Sequence, residues 1–375
     1  MTHPIRVLIV DDSAVVRGLM SRWIEDADDI EITGFASNGE QALQQLASAD
    51  PDIVLLDIEM PILDGLTVLP QIRKEQPNAK IIMVSSLTVR HARETFKALA
   101  NGASDYLPKP SADGQAMSSS GFQKGLLEKI RALAPQRKFE KSTDTEKLPK
   151  RITPKLGVLK PSPHPSLTNP EIMVIGGSTG GPQALFTLFE NEFTLAHDLP
   201  VLITQHMPPT FTTIFAKHLQ SVSGLPAKEA EEGETPKPGY LYIAPGGYHL
   251  SVRRAAGRAI LSLDQGPMIN FCRPAVDRLF LTAADTYGAA TLAIVLTGMG
   301  QDGCAGAHKI AENGGMVIIQ DEASSVVWGM PGAVAEAGIE MAQFPIDKMA
   351  AGLKAFLNRQ FPAPHFRSAM GGKQV

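Results

Sequence analysis

Cysteine is nearly absent from this chain, with Cys272 and Cys304 the only two in 375 residues. So few thiols, so placed, speak against a disulfide framework or a zinc site, and they suit a mostly reduced compartment. Both are expected to be packing thiols. Long apolar runs are missing as well. Nowhere do about 18 apolar residues stand together, and no basic and apolar leader precedes the strand-like R-V-L-I-V near the N-terminus, so a cytoplasmic protein without membrane insertion is expected. Positive charge is not in excess either. The 35 Lys and Arg face 39 Asp and Glu, a net charge of -4, and that balance carries no footprint of a nucleic-acid binder.

What is there is ordinary globular composition, 43% hydrophobic and 20% charged, in a length that suits two domains, each able to bury a core. Short apolar runs (Val7 to Val10, Ile53 to Leu56, Ile81 to Val84, Asp105 to Leu107) alternate with helical stretches, which predicts a βα-repeat domain over residues 1–133. Residues 134–170 are rich in lysine, arginine, threonine and proline, and read as a flexible, basic, proline-rich linker. A second α/β domain is expected over residues 171–360. There Ile172 to Ile175, Val201 to Ile203 and Leu292 to Leu296 have the continuous apolar character of buried parallel strands. Residues 361–375 form a tail.

Chemistry gathers where these runs end. In the first domain Asp11 and Asp12 follow the first strand, Asp57 ends I-V-L-L-D, Ser85 follows I-I-M-V, and Lys109 follows D-Y-L-P. Any one such Asp is ordinarily a turn or a helix cap. Three carboxylates in one crevice repel one another unless a divalent cation neutralises them, and hard oxygen donors suit Mg²⁺.

In the second domain, I-G-G-S-T-G-G, T-Q-H-M-P and T-G-M-G-Q-D-G each follow an apolar run and deliver Ser178, His206 and Asp302. Ligands of open parallel sheets sit beyond the carboxyl ends of the strands, so the three are expected to converge as nucleophile, base and orienter. Gly176 to Gly180 fit G-x-S-x-G, with Pro182 suited to the first helical position. Backbone N–H groups at Thr179 and Met299 are the candidate oxyanion hole, since both lie on glycine-rich turns beside the triad. A dinucleotide fingerprint fails in register at Ser178, and a Walker loop fails at Pro182. A glycine-rich turn that only packs or binds an anion stays open, and His249, in the hairpin-like L-Y-I-A-P-G-G-Y-H-L-S-V, competes with His206 for the role of base.

The D-D-S, the D-I-E-M-P-I-L-D-G around Asp57 and the K-P at Lys109 resemble the receiver domain of two-component response regulators over roughly residues 4 to 130. The resemblance implies a flavodoxin-like fold with Asp57 as phosphoacceptor. It makes Asp12 and Asp57 direct Mg²⁺ ligands, Glu59 a ligand through its carbonyl, and Asp11 a ligand through water. Ser85 would be the switch hydroxyl and Lys109 the phosphoryl contact, with a cis Lys109–Pro110 bond. Residues 171 to about 357 resemble the doubly wound α/β/α catalytic domain of chemotaxis protein-glutamate methylesterases. The shared motifs are I-G-G-S-T-G-G, T-Q-H-M-P-P, Y-I-A-P-G, R-P-A-V-D, L-T-G-M-G-Q-D-G and E-A-S-S-V-V-W-G-M-P. This resemblance implies a Ser178, His206 and Asp302 triad with no cofactor for ester hydrolysis. The implied substrates are methylated chemoreceptors, the implied phosphodonor is a chemotaxis histidine kinase, and receptor glutamine deamidation is a companion activity. An unphosphorylated receiver covering the active-site crevice is implied too, and a monomer is expected. Gly177, where alanine is common, and the long linker depart from the pattern. The rival reading is a response regulator whose second domain is a non-catalytic partner- or nucleotide-binding module.

Overall fold

The computed structural model describes residues 3–86, 88–109, 119–134, 169–190 and 193–357. The linker over 135–168, the tail beyond 357 and the Lys109–Pro110 bond therefore lie outside the described residues. No helix among those described is long and apolar enough to cross a membrane.

The first half runs β1 (Ile5–Val10), α1 (Ala14–Glu25), β2 (Ile30–Ala36), α2 (Gly39–Ala49), β3 (Ile53–Asp57), α3 (Gly65–Glu75), β4 (Lys80–Ser85), α4 (Val89–Ala100), β5 (Asp105–Pro108) and α5 (Ser119–Leu133). Its strands are all parallel in the order β2-β1-β3-β4-β5, the flavodoxin-like arrangement. Ser13, Asn38, Asp64 and Thr88 cap α1 to α4, each side chain accepting from an amide of the first turn. β2 was not anticipated. It is an edge strand, I-E-I-T-G-F-A, half of it polar or exposed, and so lacks the continuous apolar run of its buried neighbours.

The second half runs β6 (Ile172–Gly177), α6 (Gly181–Glu190), α7 (Leu195–Asp198), β7 (Val201–Gln205), α8 (Phe211–Ser223), β8 (Ala227–Glu229), β9 (Leu241–Ile243), β10 (His249–Ala255) and β11 (Arg258–Asp264). It continues with α9 (Val276–Tyr287), β12 (Thr291–Val295), α10 (Cys304–Glu312), β13 (Met316–Gln320), α11 (Met330–Ala337), β14 (Ala342–Phe344) and α12 (Met349–Leu357). Seven parallel strands form one sheet in the order β14-β13-β12-β6-β7-β9-β8. Alternate residues of β6 face opposite cores: Met173 and Ile175 pack on the side of α6 and α8, Ile172 and Val174 on the side of α9 and α10. Strand order reverses between β6 and β12, which opens a crevice at their carboxyl ends. The expected hairpin is displaced. Leu241–Ile243 pairs in parallel with β7 and β8 inside the large sheet, and the antiparallel pair is β10 with β11.

The two halves meet through α4, which packs on α6 and α8. Phe96 is buried there against Phe186, Phe211 and Phe215, with its ring stacked on His218, and Tyr106 stacks on Phe211 at 4.8 Å.

Candidate functional site

At the end of β6 the chain turns sharply through Ser178, Thr179 and Gly180 into α6. Gly180 adopts φ +76°, and a Cβ there would stand 2.6 Å from Val326. Gly176 is equally constrained, since its Cβ would lie 2.3 Å from a methyl of Val276. The turn is pinned on both sides: Ser178 N–H donates to the Thr297 carbonyl at 3.1 Å, and Gln205 Nε2 donates to the Ser178 carbonyl at 2.8 Å. His206 follows β7, and its N–H donates to the Gly177 carbonyl at 3.1 Å, so the β6–β7 register sets histidine beside serine. Asp302 follows β12 on the other flank.

His206 Nε2 lies 2.7 Å from Asp302 Oδ2. A carboxylate only accepts, so Nε2 carries a proton, and Nδ1 is the nitrogen that holds the lone pair whenever the ring is neutral. Asp302 is 2% exposed, and it also accepts from the N–H groups of Val276 (2.6 Å), Asp277 (3.1 Å) and Gly303 (3.1 Å) and from Asn270 Nδ2 (3.0 Å). Two of these amides belong to the first turn of α9, whose dipole favours the anion. Burial would push the Asp302 carboxyl up, but His206 and this ring of donors hold it below the ordinary carboxylate range. Burial works against charge on His206 as well, yet the hydrogen bond to Asp302 and the Cys272 contact raise its pKa above the usual imidazole value. Asp277 is pushed up, first by burial and then, among the raising influences, by the Asp302 charge beside it.

No hydrogen bond joins the Ser178 and His206 side chains. Nδ1 instead meets Cys272 Sγ at 3.5 Å. Contacts between nucleophile and base are often loose in ligand-free sites and tighten with substrate. The backbone N–H groups of Thr179 and Met299 donate to no protein acceptor among the described residues.

The first domain gathers its own cluster. Asp11, Asp12 and Asp57 place carboxylate oxygens within 4.8 Å of one another. Lys109 Nζ lies 2.8 Å from both Asp11 Oδ2 and Asp57 Oδ2. Burial, opposed by Lys109 and reinforced by Asp11, raises Asp57 to about 6. Lys109, whose charge burial opposes, is nonetheless held above its ordinary pKa by Asp57 and Asp11. An all-carboxylate donor set with an exposed Asp12 fits a hydrated hard cation such as Mg²⁺. Glu59 directs its side chain elsewhere, to Arg90 and His91 at the start of α4. Ser85 Oγ is 2.9 Å from Thr95 Oγ1 on α4.

Sequence reasoning kept His249 as a rival to His206, and it missed Asn270 and the position of Cys272 at the second site. His249 is 1% exposed, with Nε2 facing the Pro267 carbonyl and Nδ1 accepting from Ala275 N–H, so it is a satisfied structural histidine. Cys272 is not simply a packing thiol, because its sulfur faces His206 Nδ1. Asn270 Nδ2 donates to both Asp302 and Asp277 at 3.0 Å. Asn270 and Cys272 sit on a tight turn just before R-P-A-V-D, and no local pattern marks either as part of a site.

The chain has similar sequences among known proteins. The family model "CheB methylesterase" matches residues 173–353, and "Response regulator receiver domain" matches residues 7–119. A protein-glutamate methylesterase/protein-glutamine glutaminase of Nitrobacter hamburgensis is 47% identical over 353 residues, covering 93% of each chain. One from Rhodopseudomonas palustris is 45% identical over 367 residues, covering 92% of this chain and 93% of its own. The crystal structure of the Thermotoga maritima CheB methylesterase catalytic domain is 42% identical, covers 50% of this chain and 100% of that one, and has a TM-score of 0.48.

Proposed function

The chain belongs to the protein-glutamate methylesterase/protein-glutamine glutaminase family, a receiver domain joined to a CheB methylesterase domain, and from that premise we propose how its residues divide the work. The protein hydrolyses glutamyl γ-methyl esters of chemoreceptors in chemotactic adaptation. His206 Nδ1 takes the Ser178 proton as Ser178 Oγ attacks the ester carbonyl. The Thr179 and Met299 amides receive the developing oxyanion, and protonated His206 returns the proton to departing methanol. Asp302 holds the ring and its charge. Water then repeats the sequence on the acyl-serine and releases glutamate. A glutamine side chain would follow the same route with ammonia leaving, which makes deamidation the companion activity. The observation that carries this reading is the Nε2 bond to Asp302, because it leaves Nδ1 as the basic nitrogen on the next strand-end from Ser178.

In the receiver, Asp57 accepts the phosphoryl group from a chemotaxis kinase, and Lys109 and Ser85 bind it. Asp11, Asp12, Asp57 and the Glu59 carbonyl would hold Mg²⁺, which would supply charge neutralisation for that transfer. Ser85 can turn to the phosphoryl group only by leaving Thr95, which is adjacent on α4 to Phe96, the residue docked on α6 and α8. Phosphorylation therefore acts on the seam between the domains, and the unphosphorylated receiver restrains the esterase.

Methanol release from methyl-esterified receptor membranes by the full chain tests this. With Mg²⁺ and a small-molecule phosphodonor the rate should rise. Release that ignores the donor sinks the gating, while no release in either state favours a binding module.

A further inference from the structure

Cys272 stands where a thiol has an unusual opportunity. Its sulfur lies 3.5 Å from His206 Nδ1, the nitrogen not used by Asp302. In tetrahedral zinc sites Zn–S is about 2.3 Å and Zn–N about 2.0–2.1 Å, so two such ligands on one ion stand about 3.5 Å apart. The pair is already at that separation. On the far side of the imidazole, Asp302 accepts the Nε2 proton at 2.7 Å, the carboxylate–histidine–metal relay that fixes the ring and strengthens a histidine ligand. A sulfur, a ring nitrogen and a carboxylate oxygen of the three residues fall within 4.8 Å of one another. His206 is 13% exposed and Cys272 is half-buried, so neither side chain is sealed from solvent.

We propose that Cys272 and His206 form an inhibitory site for a soft divalent cation, of the Zn²⁺ class, with Asp302 as the outer carboxylate. The bound ion occupies the lone pair that would take the Ser178 proton, so the esterase stops without any change in fold. The blocking rests on the esterase reading given above, whereas the metal site itself stands on geometry alone. Binding displaces one proton from the thiol and consumes no oxidant. Donor softness separates this site from Asp11, Asp12 and Asp57 of the receiver, which offer only carboxylates and suit Mg²⁺, and its sulfur separates it from the receiver's Glu59, His91 and Glu94. Excess Mg²⁺ should therefore leave the inhibition in place. With two protein ligands and the other positions left to water, the site is open and its inhibition reversible.

The test uses the full-length chain with Co²⁺ as a spectroscopic probe and buffered Zn²⁺ as the inhibitor, both in excess Mg²⁺. Co²⁺ should give a sulfur-to-cobalt charge-transfer band that saturates at one sulfur-bound ion per chain and that Zn²⁺ bleaches. Zn²⁺ should stop methanol release, and a chelator should restore it. In Cys272→Ala and Cys272→Ser the band should vanish, and the Zn²⁺ concentration that halves each variant's own rate should rise at least tenfold. Asp57→Asn should keep both responses. Absence of the band in the wild type, or equal Zn²⁺ sensitivity with and without the thiol, overturns the proposal. The band is read without turnover, so a chain that binds Co²⁺ through sulfur but releases no methanol refutes the esterase reading and leaves the metal site standing.

Discussion

Asp302 is a carboxylate with no spare lone pair: His206, Asn270 and the amides of Val276, Asp277 and Gly303 all donate to it. Asp302→Asn would turn an NH₂ group toward some of these donors and lose the charge that sustains imidazolium. We expect kcat to fall by about 10⁴ with the fold intact, checked by methanol release and circular dichroism. Ser178→Ala should abolish release while receptor binding persists, and retained turnover would remove serine from the mechanism. Asn270→Ala should lower kcat by about tenfold to a hundredfold at unchanged KM, because it frees two neighbouring carboxylates and loosens the ring's anchor. The proposed triad residues stood out because each follows an apolar strand, Ser178 and Asp302 in glycine-rich motifs and His206 in T-Q-H-M-P. Asn270 and Cys272 were not, since their roles come from a turn that only tertiary packing carries to His206.

At the scale of elements, buried strands announce themselves and everything half-exposed does not. β3 and β12 are apolar except for Asp57 at the end of one and Thr291 at the start of the other, and every residue is buried. β2 and the β10–β11 pair mix polar and apolar residues and could be placed only by the sheet they join or leave. Helix α8 illustrates the same limit. His218 looks like any surface histidine in F-T-T-I-F-A-K-H-L-Q, yet it meets Phe186 at 4.5 Å and stacks on Phe96, and burial lowers its pKa, opposed by Glu190. A histidine with a lowered folded pKa binds fewer protons docked than free. Its contribution is therefore present at neutral pH and is lost as pH falls from about 6.5 through the lowered value. Acidification through that range should loosen α4 from α8, seen as a larger radius of gyration by small-angle scattering. His218→Phe should remove that expansion, and an expansion unchanged in the variant would assign it to other groups.

For the whole molecule the question is which contacts carry the control that the family resemblance implies, and the sequence does not name them because the facing surfaces of α4 and α6 are set only when the two helices meet. Gln183 is the specific element of that contact. Its side-chain amide donates to the Leu99 carbonyl and, at 2.7 Å, to the Ala103 carbonyl, holding the end of α4 from across the domain boundary. Two such bonds contribute roughly 0.5–1.5 kcal/mol each, about the coupling free energy typical of a two-state switch. Phe96→Ala would be a poorer probe, since losing so buried a ring costs about 3–5 kcal/mol and endangers the receiver itself. Gln183→Ala removes only the restraint, on a side chain remote from Ser178 Oγ in chemistry. Its methanol release without phosphodonor should rise by about fivefold or more toward the phosphorylated wild-type rate, and stimulation by the donor should shrink by the same factor, because both states share one fully released ceiling. An unchanged basal rate with undiminished stimulation would mean that α4 docks on the esterase without gating it, and the switch would then have to act through α5, where Lys124 lies 4.3 Å over the Phe271 ring beside Cys272.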